Sequence, residues 1–287
     1  MAWKTQVVDR VPTYAGRVKL TAVSGQPDVY DLVRADSPIV EGTPINAALL
    51  NAKADCLLDS VTVYVSKNGS DVSGTGASTA PFATIQAAVN ALPKNLCGFH
   101  AQIDIGEGTY DERVQINGFT GGRLTLGVAD RLVTVRGIAV TSSAVVELRI
   151  SNITHSNSFS ETLLCADYGS NVSVLSSLTI SGESATVSGV SATGGSVINA
   201  TDVTLVLQKF GKTAVIADSG AVIALGSVSG SDNAAGLRAE NGGVIAYATK
   251  NMSSVAGDST STGGRIFTGA SGSGGSGGGL VIAEVVA

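Results

Sequence analysis

Two carboxylates, Asp218 and Glu240, hold the same place in neighbouring copies of a short repeat, Ala217-Asp-Ser-Gly-Ala-Val-Ile223 and Ala239-Glu-Asn-Gly-Gly-Val-Ile245. On adjacent turns of a solenoid they would stand about 5 Å apart, the separation at which retaining glycosidases place their two carboxyl groups. Each also neighbours Gly or a small polar residue, where Asp, Asn and Ser routinely close turns, and that structural reading is the stronger one. A second acidic set, Asp104, Glu107, Asp111 and Glu112, offers an acid/base cluster; the bland alternative is a structural turn built on Gly108-Thr-Tyr-Asp-Glu112. No catalytic residue is therefore expected, with Asp218 and Glu240 the candidates if there is one. His100 and His155 are the only histidines and lie far apart. No Cys/His spacing suggests zinc, so neither metal nor cofactor is expected. Tyr168, Phe210 and Tyr247 are the aromatics that could stack on a receptor or glycan; a place in the core or between subunits is the competing reading. The Gly-rich stretch Gly69 to Gly76 lacks the Lys-Ser/Thr of a P-loop.

Positioning such residues requires a frame. The 287 residues are 44% hydrophobic but only 5% aromatic and 14% charged, with 36 glycines, a mixture suited to many short strands joined by tight turns. Net charge is −5 with no run of Lys or Arg, which argues against nucleic acid as the partner. No apolar run approaches the ~20 residues that cross a bilayer, so membrane insertion is not expected. Cys56, Cys97 and Cys165 lie far apart without a Cys-x-x-Cys pair, and read as buried or free thiols of a protein assembled in a reducing cytosol. The N-terminus lacks an apolar signal core, so release by lysis is the expected route outward.

The anchoring alanines Ala166, Ala192, Ala217 and Ala239 each open a similar segment with a Gly-containing corner, at a period of roughly 20–30 residues, the mark of a solenoid. The Leu/Asn ladder of leucine-rich repeats and the amphipathic helices of ankyrin-type repeats are missing. An all-β parallel β-helix remains, its turns stacked about 4.8 Å apart. Four segments are expected. Residues 1–58, rich in Pro and charge, form a small attachment module with a short helix opened by Thr43-Pro44. Residues 59–100 hold a strand, a loop and a capping helix over Pro81–Leu92. Residues 101–268 form the β-helix. Residues 269–287 are a Gly/Ser linker followed by the apolar strand Leu280 to Ala287, covering the β-helix end or crossing to another subunit.

Two stretches resemble known families. Tyr64-Val-Ser-Lys-Asn-Gly-Ser-Asp71, Gly74-Thr-Gly76, Pro81-Phe-Ala-Thr-Ile-Gln-Ala-Ala-Val89 and Ile103-Asp-Ile-Gly-Glu-Gly-Thr-Tyr-Asp-Glu-Arg-Val-Gln-Ile116 resemble the opening of pectin-lyase-like right-handed β-helices, which implies a right-handed parallel β-helix here. The downstream Gln-Asp and Asp-Phe-x-x-Gly segments of pectin methylesterases have no counterpart. Met1-Ala-Trp-Lys-Thr5, Val8-Asp-Arg-Val-Pro12, Gly16-Arg-Val-Lys-Leu20 and Glu41-Gly-Thr-Pro-Ile-Asn-Ala-Ala-Leu-Leu50 resemble the N-terminal module of prophage tail-fibre proteins. The resemblance implies a non-enzymatic phage tail fibre or tailspike, located in the virion tail. Its N-terminal module would join the tail or baseplate, its shaft would touch a bacterial surface glycan or protein, and it would work as a homotrimer. A depolymerase of surface polysaccharide and a passive virion decoration are the alternatives.

Overall fold

The protein is described here by a computed structural model that covers residues 11–12, 18–22, 24, 30–34, 38–40, 56–156, 162–183 and 185–269. The chain divides into two compact units, Met1–Ala54 and Asp55–Ala287. In the first, β2 (Val18–Ala22) and β3 (Tyr30–Arg34) form an antiparallel pair, and β1 (Val11–Pro12) pairs antiparallel with β4 (Pro38–Val40). The expected Thr43-Pro44 helix and the segment from Leu280 to Ala287 lie outside the described residues.

The second unit is a parallel β-solenoid of about seven turns, and its strands join one 19-stranded sheet. It opens with β5 (Val61–Val65) and the one described helix, α1 (Ile85–Ala91). The first turns follow as β6 (His100–Ile105), β7 (Gly108–Thr109), β8 (Arg113–Asn117), β9 (Arg123–Leu126), β10 (Val133–Val135) and β11 (Gly137–Thr141). Next come β12 (Val146–Leu148), β13 (Asn152–Thr154), β14 (Leu164–Asp167), β15 (Asn171–Val174), β16 (Leu178–Ser181) and β17 (Val190–Ala192). The stack closes with β18 (Val197–Gln208), β19 (Thr213–Ala217), β20 (Val222–Ala239), β21 (Val244–Ala256), β22 (Ser259–Thr260) and β23 (Arg265–Thr268).

The register sorts these strands into three faces. On the first, Ala101, Leu124, Val146, Val172, Ile198, Ile223 and Ile245 stack in one inward column. All seven are fully buried. The second face stacks Leu178, Leu205 and Val228 inward. The third stacks Val114, Ile138, Leu164, Val190, Val215 and Leu237. Because side chains alternate along a strand, each such column points inward for its whole length, and a one-residue slip would expose it. One turn alone cannot enclose its apolar side chains; neighbours above and below complete the enclosure.

The repeat seen in the sequence is this register. Ala166 pairs with Ala192, Ala192 with Ala217, and Ala217 with Ala239, and all four are fully buried. Helix α1 is shorter than the expected Pro81–Leu92, for a physical reason. Phe82 is held by a parallel bridge to Val65, so the helix begins only after Thr84, whose Oγ1 accepts from Ala87 N at 3.1 Å. Ile85, Ala88 and Val89 lie fully buried over the first turn, where the helix covers core that the open end would otherwise expose.

The cysteine expectation is corrected. Cys56 and Cys97 form a disulfide with Cα atoms 5.7 Å apart, and only Cys165 is left as a buried thiol. Sequence spacing could not reveal the pair, because the 41-residue separation is folded back by strand, loop and helix.

Candidate functional site

The corner between the third and first faces is the part of the solenoid that repeats most closely. Its four-residue turns are 167–170, 193–196, 218–221, 240–243 and 261–264. Both central residues have positive φ in every one: 55° and 72° at Tyr168-Gly169, 58° and 72° at Gly194-Gly195, 53° and 74° at Ser219-Gly220, 50° and 78° at Asn241-Gly242, and 50° and 78° at Thr262-Gly263. That is the type I′ geometry, which explains the glycine kept at the third position. Ala221 N donates to Asp218 O at 3.1 Å and Gly243 N to Glu240 O at 2.8 Å, closing two of these turns. Successive turns are bonded together, as where Gly220 N donates to Asn241 O at 3.1 Å.

Asp218 and Glu240 lie on adjacent turns, as their register with Ala217 and Ala239 requires. Each is engaged by a different group. Asn241 Nδ2 donates to Asp218 Oδ1 at 2.7 Å, and Arg238 lies 3.2 Å from the Glu240 carboxylate. The Asn241 amide holds the Asp218 carboxyl below the usual carboxylate range, against a smaller opposing effect of burial. A general acid needs the opposite shift. One turn earlier, Thr193 Oγ1 donates to Asp167 Oδ1 at 2.8 Å, so the whole row carries hydrogen bonds from turn to turn.

Sequence comparison adds no relative: no family model, curated protein or solved structure matches the chain.

Tyr168 stands out on this row. Its counterparts in the other turns are Gly194, Ser219, Asn241 and Thr262, yet here a bulky aromatic takes the left-handed conformation, at φ 55°. It is 75% exposed. An aromatic with positive φ is an outlier that the surrounding structure must impose, and such outliers concentrate at functional positions. Gly194, on the adjacent turn, would bring a Cβ to 3.4 Å from Tyr168 N, so only a small residue lies close to the tyrosine backbone.

The other aromatic candidates sit differently. Phe210 is 1% exposed and is removed from the contact set. Its ring fills the space over Gly182 and Gly189, where any Cβ would collide with it. Tyr247 continues the inward column of Leu225 and packs, half-buried, against the core.

The first-turn carboxylates are dispersed into structural tasks. Glu112 accepts from Ile85 N at 2.8 Å and Gln86 N at 2.9 Å, satisfying helix N–H groups that have no intrahelical acceptor. Asp71 accepts from Ala83 N at 2.7 Å, Thr84 N at 3.0 Å and Thr84 Oγ1 at 2.7 Å. Asp111 pairs with Arg136 at 2.7 Å and Asp104 pairs with Arg131. His100 Nε2 lies 2.8 Å from Thr125 Oγ1, which donates to Glu147 at 2.8 Å; the hydroxyl proton therefore points to the carboxylate and not to the imidazole. Among the described residues no group of three or more His, Cys, Asp or Glu is placed to hold a metal ion.

A ladder inside the corner went unread in the sequence. Phe119 N donates to Ser143 Oγ at 3.2 Å, Ser143 N to Ser170 Oγ at 3.3 Å, and Ser170 N to Ser196 Oγ at 3.1 Å. The three serines are essentially fully buried. The ladder stops where Ala221 follows Ser196; there Ser196 N turns to its own turn's Thr193 O at 3.2 Å. Serines aligned with the alanine repeat were the available signal.

Proposed function

We propose that this protein is a receptor-binding component of a bacteriophage tail, a fibre or tailspike whose N-terminal unit joins the tail or baseplate and whose solenoid touches the bacterial surface. The observation that carries the reading is Tyr168: an exposed aromatic held at positive φ on a rigid stack of turns whose other members are small. A ring on such a ridge offers large contact area with little conformational freedom left to lose on binding. The resemblance of the first 50 residues to tail-fibre modules supplies the phage context, and the protein would then act in the virion tail as a homotrimer. The depolymerase alternative has less support, because Asp218 is shifted toward the ionised form and Asp104, Asp111 and Glu112 are engaged in ion pairs or helix capping.

The test is binding of labelled full-length protein to cell envelopes of the bacterium whose genome carries the sequence. Tyr168→Asn keeps a residue that tolerates positive φ, as Asn241 does three turns along the row, and removes the ring. Binding should fall at least tenfold. Unchanged binding would remove Tyr168 from the contact, and no binding by the parent protein would remove the adhesin reading itself.

A further inference from the structure

The first-face column runs on from Ile245 to Ile266, but on the other two faces the last turn brings in charge. On the second face the column Leu178, Leu205, Val228 is continued by Lys250. On the third face Asp258 lies just before Ser259, which pairs with Arg238, the residue after Leu237. Lys250 Nζ and Asp258 Oδ2 meet at 2.5 Å, and Asp258 Oδ1 also accepts from Leu237 N at 2.9 Å. The two side chains are 19% and 27% exposed, so water reaches the pair at the end of the stack. Two further columns turn polar at the same level: Thr260 follows Ala239, and Thr268 follows Tyr247.

The final strands need such treatment. Among the described residues, β22 pairs only with β20 and β23 only with β21, so no described strand lies beyond them. A free edge around an apolar core is a template for another chain's strands, and inward-pointing charge is one of the devices that blocks it. A second solenoid stacked on this end would strip water from both ions and give them no new partner. At the other end α1 does the covering, so the two ends are protected by different means.

We propose that the Lys250–Asp258 pair is a stop at the end of the solenoid that keeps a second copy of this chain from stacking on it end to end. The proposal is independent of the receptor reading. It is tested on the full-length chain by sedimentation velocity and light scattering over a concentration series, against the mass of the parent protein. The apolar double variant Lys250→Leu with Asp258→Val should at least double that mass, in a concentration-dependent way. The swapped variant, Lys250→Asp with Asp258→Lys, restores the pair in reverse and should keep the parent mass. If circular dichroism shows that the apolar variant does not fold, Lys250→Thr with Asp258→Thr asks the same question with the hydroxyl residue already used at Thr260 and Thr268. An uncharged folded variant that stays at the parent mass, or a swapped variant that associates equally, overturns the proposal.

Discussion

At the scale of single residues, Tyr168 bears strain that its counterparts avoid. The left-handed conformation costs a residue with a Cβ about 1–2 kcal/mol, and Asn relieves part of it by local hydrogen bonding. Tyr168→Asn is therefore expected to leave the fold as stable or up to about 1 kcal/mol more stable in denaturant unfolding, while surface binding falls. A residue whose loss stabilises the fold and impairs binding is kept for binding. His100 gives a pH dependence. Burial, and then the nearby Arg123, lower its pKa below the ordinary value near 6.5. The folded state thus binds fewer protons than the unfolded chain, and the stabilisation present above that ordinary value declines as the pH falls through it toward the folded pKa. Unfolding midpoints measured between pH 8 and 5 should drop on the acid side, and His100→Gln, which keeps a donor toward Thr125, should flatten that slope. Ser170 lies in the buried ladder: Ser170→Ala leaves Ser143 N–H without its acceptor, at a cost of about 1–3 kcal/mol. The low end is expected, because Ser196 shows that the N–H can turn back into its own turn.

At the scale of elements, the first turn of the solenoid is fastened by both a disulfide and helix-capping side chains. Glu112, Asp71 and Thr84 serve the start of α1, which is only seven residues long. A helix that short does not persist alone in water, so the solenoid's first turn has to hold it in place. Glu112→Ala should lower stability by about 2 kcal/mol, the range for losing a charged cap with two hydrogen bonds. The Cys56–Cys97 disulfide encloses this strand, loop and helix. For its 41-residue separation the loop-entropy relation gives about 4 kcal/mol. Equilibrium unfolding with and without reductant should differ by about 2–4 kcal/mol. A Cys56→Ser, Cys97→Ser variant should match the reduced protein; equal stability with and without reductant would show that the bond does not form.

At the scale of the whole molecule, the solenoid repeats three faces and one glycine-containing corner through about seven turns. Backbone and core are shared between turns, so a local change in one turn is felt by its neighbours. If the tail-fibre reading is right, light scattering on the parent protein gives three times the 28.7 kDa chain mass; a clean monomer at micromolar concentration would reject the trimer.

The sequence alone determined the solenoid, because its evidence is periodic: alanines at Ala166, Ala192, Ala217 and Ala239, and inward Val, Ile and Leu at alternate positions, repeat for as long as the turns stack. It also located the capping helix, through Ile85, Ala88 and Val89 on one face. Non-periodic features were decided only in three dimensions. Cys56 meets Cys97, Glu112 reaches the helix N-terminus, and Lys250 meets Asp258, each pair joining residues from different strands, loops or helices whose proximity no local pattern encodes. Phe210 illustrates the same limit: its local sequence leaves contact and core both open, and the glycines packed under its ring make it core. Tyr168 stands in the sequence as one of three candidate contact aromatics; the register, by setting it beside Gly194, Ser219, Asn241 and Thr262, makes its size and its φ the exception.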